Sequence, residues 1–158
     1  MRIEGILVDL DNTLYDYKTA HLPALATTLA WLCEVLGLPL AEIEAAYCHS
    51  RHHVNKRLQG LASGHSRLLY FQGICELFGH WPCEIAISAE NMYWSTFLKK
   101  MQLRQDCLYF LKAMQPRPIA IVTDLTARIQ FEKVTKLGLT AYINAIVTSE
   151  EAGCDKQD

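Results

Sequence analysis

The feature that most constrains this chain is a set of three short apolar runs, each ending in polar residues, placed around a long stretch of helical spacing. The first run, Ile3 to Asp9, carries Ile3, Ile6, Leu7 and Val8 and ends on acid. The second, Ile119-Ala120-Ile121-Val122, follows a turn bracketed by Pro116 and Pro118 and ends at Thr123-Asp124. The third, Tyr142 to Val147, ends at Thr148-Ser149-Glu150-Glu151. Short continuous apolar runs of this kind read as buried strands, because helices cover both faces of a parallel sheet.

Between the first two runs the period changes from strand to helix. The spacing predicts helices over about Thr19 to Leu36, Ala41 to Leu58, Ser66 to Phe78, Glu84 to Lys100 and Gln105 to Met114. Gly37 with Pro39, the run Gln59 to Gly64, and Gly79 supply the breaks. A further amphipathic helix is expected from Thr126, a possible N-cap, to Leu137, with Gly138 as its stop. Strand, helical insert, strand, helix, strand implies an α/β domain with a parallel sheet. Trp31, Trp81, Tyr93 and Trp94 fall in helical patterns and are expected in packing. No internal repeat or low-complexity tract is present.

Composition narrows the class. At 158 residues and 51% hydrophobic, the chain has enough apolar material for one domain with its own core. A net charge of −2 and a pI of 6.3 give no electrostatic case for nucleic acid or an anionic membrane surface. The first residues lack the pattern of a signal peptide. No apolar stretch approaches the ~18–20 residues needed to span a bilayer. The six cysteines form no C-x-x-C pair, so buried reduced thiols in a cytoplasmic protein are expected.

In open parallel sheets the ligand crevice lies beyond the carboxyl ends of the strands. All three polar run ends therefore gather at one edge. Within Asp9-Leu10-Asp11-Asn12-Thr13 two carboxylates alternate with one residue between them, which in extended chain puts both on one face. Such a pair can hold a divalent cation through oxygen and leave one carboxylate free as a nucleophile. Taken alone, a D-x-D pair is equally compatible with a helix cap or a solvated turn.

Three ordered matches change that balance. DLDNTLYD resembles motif I of the haloacid dehalogenase superfamily, IAIVTD resembles motif II, and SEEAGCDK resembles the segment that carries the motif III lysine. The resemblance implies a Rossmann-like α/β core formed by residues 1–14 and 101–158, with residues 15–100 as an inserted helical cap. It implies a phosphatase that works through an aspartyl-phosphate. Asp9 would be the nucleophile, Asp11 the acid and base, and Thr123 and Lys156 would bind the phosphoryl oxygens. Magnesium would be held by the Asp9 carboxylate and the Asp11 backbone carbonyl. Asp124 would bind or orient beside Thr123, or cap the helix that follows. Members that cleave carbon–halogen bonds lack the second motif I aspartate, so Asp11 favours a phosphatase over a dehalogenase.

The sequence also departs from the family. Lys156 is followed by Gln157 and not by proline, and the acidic pair of motif IV does not occur in these 158 residues. Two expectations follow. The core would lack its C-terminal strands, with weak magnesium binding and weak or absent turnover. Ile3 to Asp9 would form an open apolar edge, suited to self-association or to a complementing polypeptide. A non-catalytic remnant that keeps the fold is the alternative.

The basic stretch His49, Arg51, His52, His53, Lys56 and Arg57 reads first as a solvated helix face and second as a source of cations for the crevice. His65 and Arg67 share the second reading. The expected ligand is a small phosphorylated metabolite, with no code in the cap to specify it.

Overall fold

A computed structural model describes residues 3–156. Three parallel strands form one sheet in the order β1-β2-β3. They are β1 (Ile6–Val8), β2 (Ile119–Thr123) and β3 (Ala145–Thr148). Ile6, Leu7 and Val8 pair with Ile119, Ala120 and Ile121, and Thr123 stands beside Thr148. The strands are parallel, so motif I, Thr123 and Thr148 leave the sheet at one edge. β1 is shorter than the run Ile3 to Asp9, because pairing with β2 begins only at Ile6. β3 starts later than Tyr142, after a 3-10 turn at Leu139–Ala141.

Four long helices follow β1: α1 (Tyr17–Leu36), α2 (Leu40–Arg57), α3 (Arg67–Leu77) and α4 (Pro82–Lys100). Their ends obey local chemistry. Asp16 caps α1 by accepting the Lys18 N–H at 2.8 Å, and Gly37 at φ 67° ends it in the left-handed conformation that glycine adopts without penalty. Ser66 caps α3, and Pro82 stands at the first position of α4, where its missing N–H costs nothing. α1 packs on α4, α4 on α3 and α3 on α2. The core they enclose includes Leu32, Ile43, Phe71, Ile74, Tyr93 and Phe97. By length and composition alone α1 could cross a membrane, at mean hydropathy 1.2, which corrects the expectation that no stretch comes close. Its stripe of Ala20, Ala24, Leu29 and Leu32 is buried, as in a core helix.

α5 (Gln105–Met114) leads to β2, and α6 (Ala127–Lys136) connects β2 to β3. A short α7 (Ser149–Ala152) follows β3. Thr126 occupies the N-cap of α6, but its side chain makes no capping bond; the Ala127 N–H instead donates to Glu150 Oε2 at 2.7 Å.

Two packing expectations are corrected. Trp81 is 79% exposed, since it precedes α4 and does not lie on its buried face. Of the cysteines only Cys75 is buried; Cys48, Cys83 and Cys154 are exposed, and all six are free thiols. Cys48 lies on the solvent stripe of α2 with His49, His52 and His53, which are also exposed.

Candidate active site

The crevice is built where β1 and β2 end. The chain leaves β1 through Asp9, Leu10 and Asp11, then turns at Asn12, which has φ 64°. Leu10 and Leu14 are buried and anchor the loop, so the two aspartates between and beside them are presented from a fixed backbone. The Leu14 N–H donates to the Leu10 carbonyl at 3.0 Å and closes the turn.

The two carboxylates have unlike surroundings. Asp9 is partly open. Lys156 Nζ stands 2.6 Å from its Oδ1, and Thr13 Oγ1 donates to its Oδ2 at 3.3 Å. Asp11 is enclosed. Lys133 Nζ reaches its two oxygens at 2.8 and 3.0 Å, Gln130 Nε2 donates to it at 3.2 Å, and the Tyr15 hydroxyl donates a short hydrogen bond. Burial pushes the Asp11 carboxyl upward, but the Lys133 charge and the hydrogen bonds from Lys133, Tyr15 and Gln130 outweigh it and hold the acid below its ordinary value. Burial holds Lys133 below its ordinary value too, with the Asp11 charge in opposition. Tyr15 is raised, by burial first and then by the Asp11 charge.

Thr123, at the end of β2, is buried and accepts a 2.8 Å hydrogen bond from Gln130 Nε2. Its own proton has only a 3.5 Å contact, to the Asp124 carbonyl. Asp124 Oδ1 accepts the Lys156 backbone N–H at 2.8 Å, so Asp124 holds the segment that carries Lys156 toward Asp9. Leu125 then adopts φ 94°, a conformation that costs a side-chain-bearing residue roughly 1–3 kcal/mol. Ser149 Oγ accepts the Leu125 N–H at 2.9 Å and helps to retain it. Asp9, Asp11, Thr123, Asp124 and Lys156 are thus brought to one sheet edge.

A search of family models matches none. A ribulose-1,5-bisphosphate 5-phosphatase from Halopiger xanaduensis is 37% identical over 157 residues, covering 96% of this chain and 65% of that protein. The chain therefore spans less than two thirds of the length of the curated relative it matches. Solved structures share the fold. A HAD phosphatase from Thermococcus onnurineus superposes with TM-score 0.70 at 17% identity, covering 96% of this chain and 65% of the other. A magnesium-bound HAD-hydrolase from Bacillus subtilis gives 0.68 at 21%, covering 99% and 69%. A 2-haloacid dehalogenase from Pseudomonas syringae gives 0.69 at 21%, covering 97% and 66%. This chain has the fold of these haloacid dehalogenase-type proteins. Its three-stranded parallel sheet and helical region match part of that fold.

Three residues of the crevice escape sequence reasoning: Tyr15, Gln130 and Lys133. The last two are the more instructive. They lie on α6 along the same stripe as Ile129, Val134 and Leu137, all buried. A glutamine and a lysine on the apolar stripe of an amphipathic helix are the available signal, because such groups are rarely fully buried without a partner.

Proposed function

We propose that this chain carries the phosphoryl-transfer centre of a magnesium-dependent phosphomonoester hydrolase. The supporting observation is the Asp9 carboxylate, partly open at the strand end, with Lys156 at 2.6 Å and the enclosed Asp11 in the same loop. In the first step an Asp9 oxygen attacks phosphorus and the bond to the leaving oxygen breaks. That oxygen takes a proton through Asp11; its pair with Lys133 keeps Asp11 mostly ionised, so the protonated form that acts is the minor one. In the second step water attacks the phosphorus of the aspartyl-phosphate and loses a proton to Asp11. Inorganic phosphate departs and Asp9 is restored. Thr123 offers its hydroxyl proton to a phosphoryl oxygen, and Lys156 neutralises charge there. Asp124 keeps Lys156 in place and closes the phosphate-binding group.

The donor set bears on the metal. The Asp11 carboxylate is engaged by Lys133, Gln130 and Tyr15, so only its backbone carbonyl is a reasonable ligand. The Asp9 carboxylate has the oxygen chemistry a hard cation takes. Asp9 and the Asp11 carbonyl would hold magnesium, which when bound supplies charge screening between nucleophile and phosphate. Among the described residues no three His, Cys, Asp or Glu side chains converge into a metal cluster. Residues 1–158 by themselves should therefore bind magnesium weakly and turn over slowly.

The name of the 37%-identical relative points to a phosphorylated sugar as the substrate class. Free thiols at all six cysteines fit a reducing, cytoplasmic setting. β1 pairs with β2 alone among the described strands, and Leu7 on it is 75% exposed. We propose that this edge takes up a second copy of the chain or a complementing polypeptide. Sedimentation at micromolar concentration should show association, and a clean monomer would count against it.

The test of the activity is hydrolysis of p-nitrophenyl phosphate. A slow magnesium-dependent rate, lost in Asp9→Asn, is expected. A robust rate would contradict weak turnover, and a rate unchanged in Asp9→Asn would remove Asp9 as nucleophile.

A further inference from the structure

Arg67 is a buried charge with no carboxylate partner among the described residues. Its side chain comes from the first turn of α3 and is 8% exposed. Its guanidinium carbon lies 5.2, 5.3 and 5.5 Å from the ring centroids of Tyr70, Tyr93 and Trp94. One terminal nitrogen donates to the His65 carbonyl at 2.7 Å and the other to the Tyr17 hydroxyl at 2.6 Å. Nε is buried with no partner. Among the described residues Arg67 has no carboxylate in ion-pair range. Aromatic faces offset part of the cost of burying such a charge, but less than an unpaired buried ion loses on leaving water. A side chain kept only to fill space between three rings would not need the charge.

Its position supplies a use. Arg67 lines a cavity of about 260 Å³, to which the helical region contributes Arg51 and His65, the sheet edge Asp11 and Asp124, and α6 Lys133. The volume suits one end of a small metabolite and falls just under the usual range for ligand sites, about 300–1,000 Å³. Lys133 pairs with Asp11, so that carboxylate does not oppose an incoming anion. The surroundings are electropositive by a second sign. His21, which touches Tyr93 at 2.7 Å, is pushed down to about 4 by burial first, then by Arg67 and Arg51.

We propose that Arg67, with Arg51 beside it, forms a second anion subsite that takes a phosphate or carboxylate at the far end of a substrate whose phosphomonoester faces Asp9. The inference rests on the reading of Asp9 as the phosphoryl-transfer centre. It adds that the substrate carries two anionic groups, and that the helical region reads the one that is not hydrolysed. Arginine suits the role, because its planar fork binds either oxyanion through two parallel hydrogen bonds.

The test is equilibrium binding by calorimetry without magnesium, on the wild-type chain, Arg67→Met, Arg67→Lys and Arg51→Ala. The probes are ribulose 1,5-bisphosphate, 3-phosphoglycerate and ribulose 5-phosphate. Either doubly anionic probe should bind the wild type about tenfold or more tighter than the monophosphate, and the tighter of the two identifies the distal group. Arg67→Met should bring the ratio near one while the monophosphate affinity changes little, and Arg67→Lys should restore part of it. Arg51→Ala, at an exposed position, should lower the ratio even where Arg67 variants fold poorly. A wild-type ratio near one, or a ratio unmoved by Arg51→Ala and Arg67→Met, would overturn the subsite. A preserved ratio in a chain that hydrolyses no monoester would support the subsite and place the failure at Asp9. A ratio of one in an active chain would do the reverse.

Discussion

The crevice has two buried cations, both beside aromatic faces, and they differ in whether a carboxylate closes them. Lys133, from α6, is fully buried and closed by a carboxylate, Asp11, at 2.8 Å. Arg67, from α3, is nearly as buried and is surrounded by ring faces, one hydroxyl and one carbonyl. A closed pair fixes geometry: it fastens the acid of the motif I loop to a helix behind the sheet edge. An open cation leaves a valence for a ligand. The sheet side of the crevice is thus arranged to hold reacting groups still, and the helical side to receive charge from outside.

The sharpest way to break this comparison is to remove the members of the closed pair one at a time. Asp11→Asn leaves Lys133 buried without a counter-charge and should cost about 3–5 kcal/mol in urea unfolding. Lys133→Met should cost less, roughly 1–3 kcal/mol, because Asp11 keeps Tyr15 and Gln130 as donors and its side chain is 30% exposed. Equal losses would mean that the two ends of the pair are equally desolvated and that Asp11 does not open on the crevice.

The open side can be sharpened through His21. Its folded value is about 4, below the usual 6.5, because burial and the two arginines disfavour its charged form. The unfolded chain therefore binds more protons between these values, and stability falls as pH drops from about 6.5 toward 4. The part owed to His21, on the order of 1–3 kcal/mol, should vanish from the wild-type profile in His21→Gln. If the two profiles run parallel through that window, the cluster around Arg67 is less electropositive than described.

Much of the sheet edge was legible in the sequence. The polar ends of the first two apolar runs place Asp9, Asp11, Thr123 and Asp124, since parallel strands end at one edge whatever packs around them. α5 runs from Gln105 to Met114 as its spacing implies, and Ser66 and Gly37 stand where helix-end chemistry puts them. Contacts between elements were not legible. Lys133 meets Asp11 across 122 residues, and Arg67 meets Tyr17 across 50. No local period encodes such pairings. Arg67 could be named as a candidate cation for the crevice, but not its aromatic cage, because Tyr70, Tyr93 and Trp94 converge only through the packing of α3 on α4. Trp81 was misplaced for a related reason: an aromatic residue beside a helix is drawn inward only if the helix turns that face to a neighbour.

The central claim is that Asp9 takes the phosphoryl group, and chemical trapping tests it most directly. Wild-type chain would be mixed with magnesium and a reactive phosphoryl donor such as acetyl phosphate, quenched, and treated with borohydride, which reduces an aspartyl-phosphate to homoserine. Peptide mass spectrometry should find homoserine at position 9 and aspartate unchanged at Asp11 and Asp124. Homoserine at either of those positions, or steady hydrolysis with no homoserine at position 9, would contradict the account.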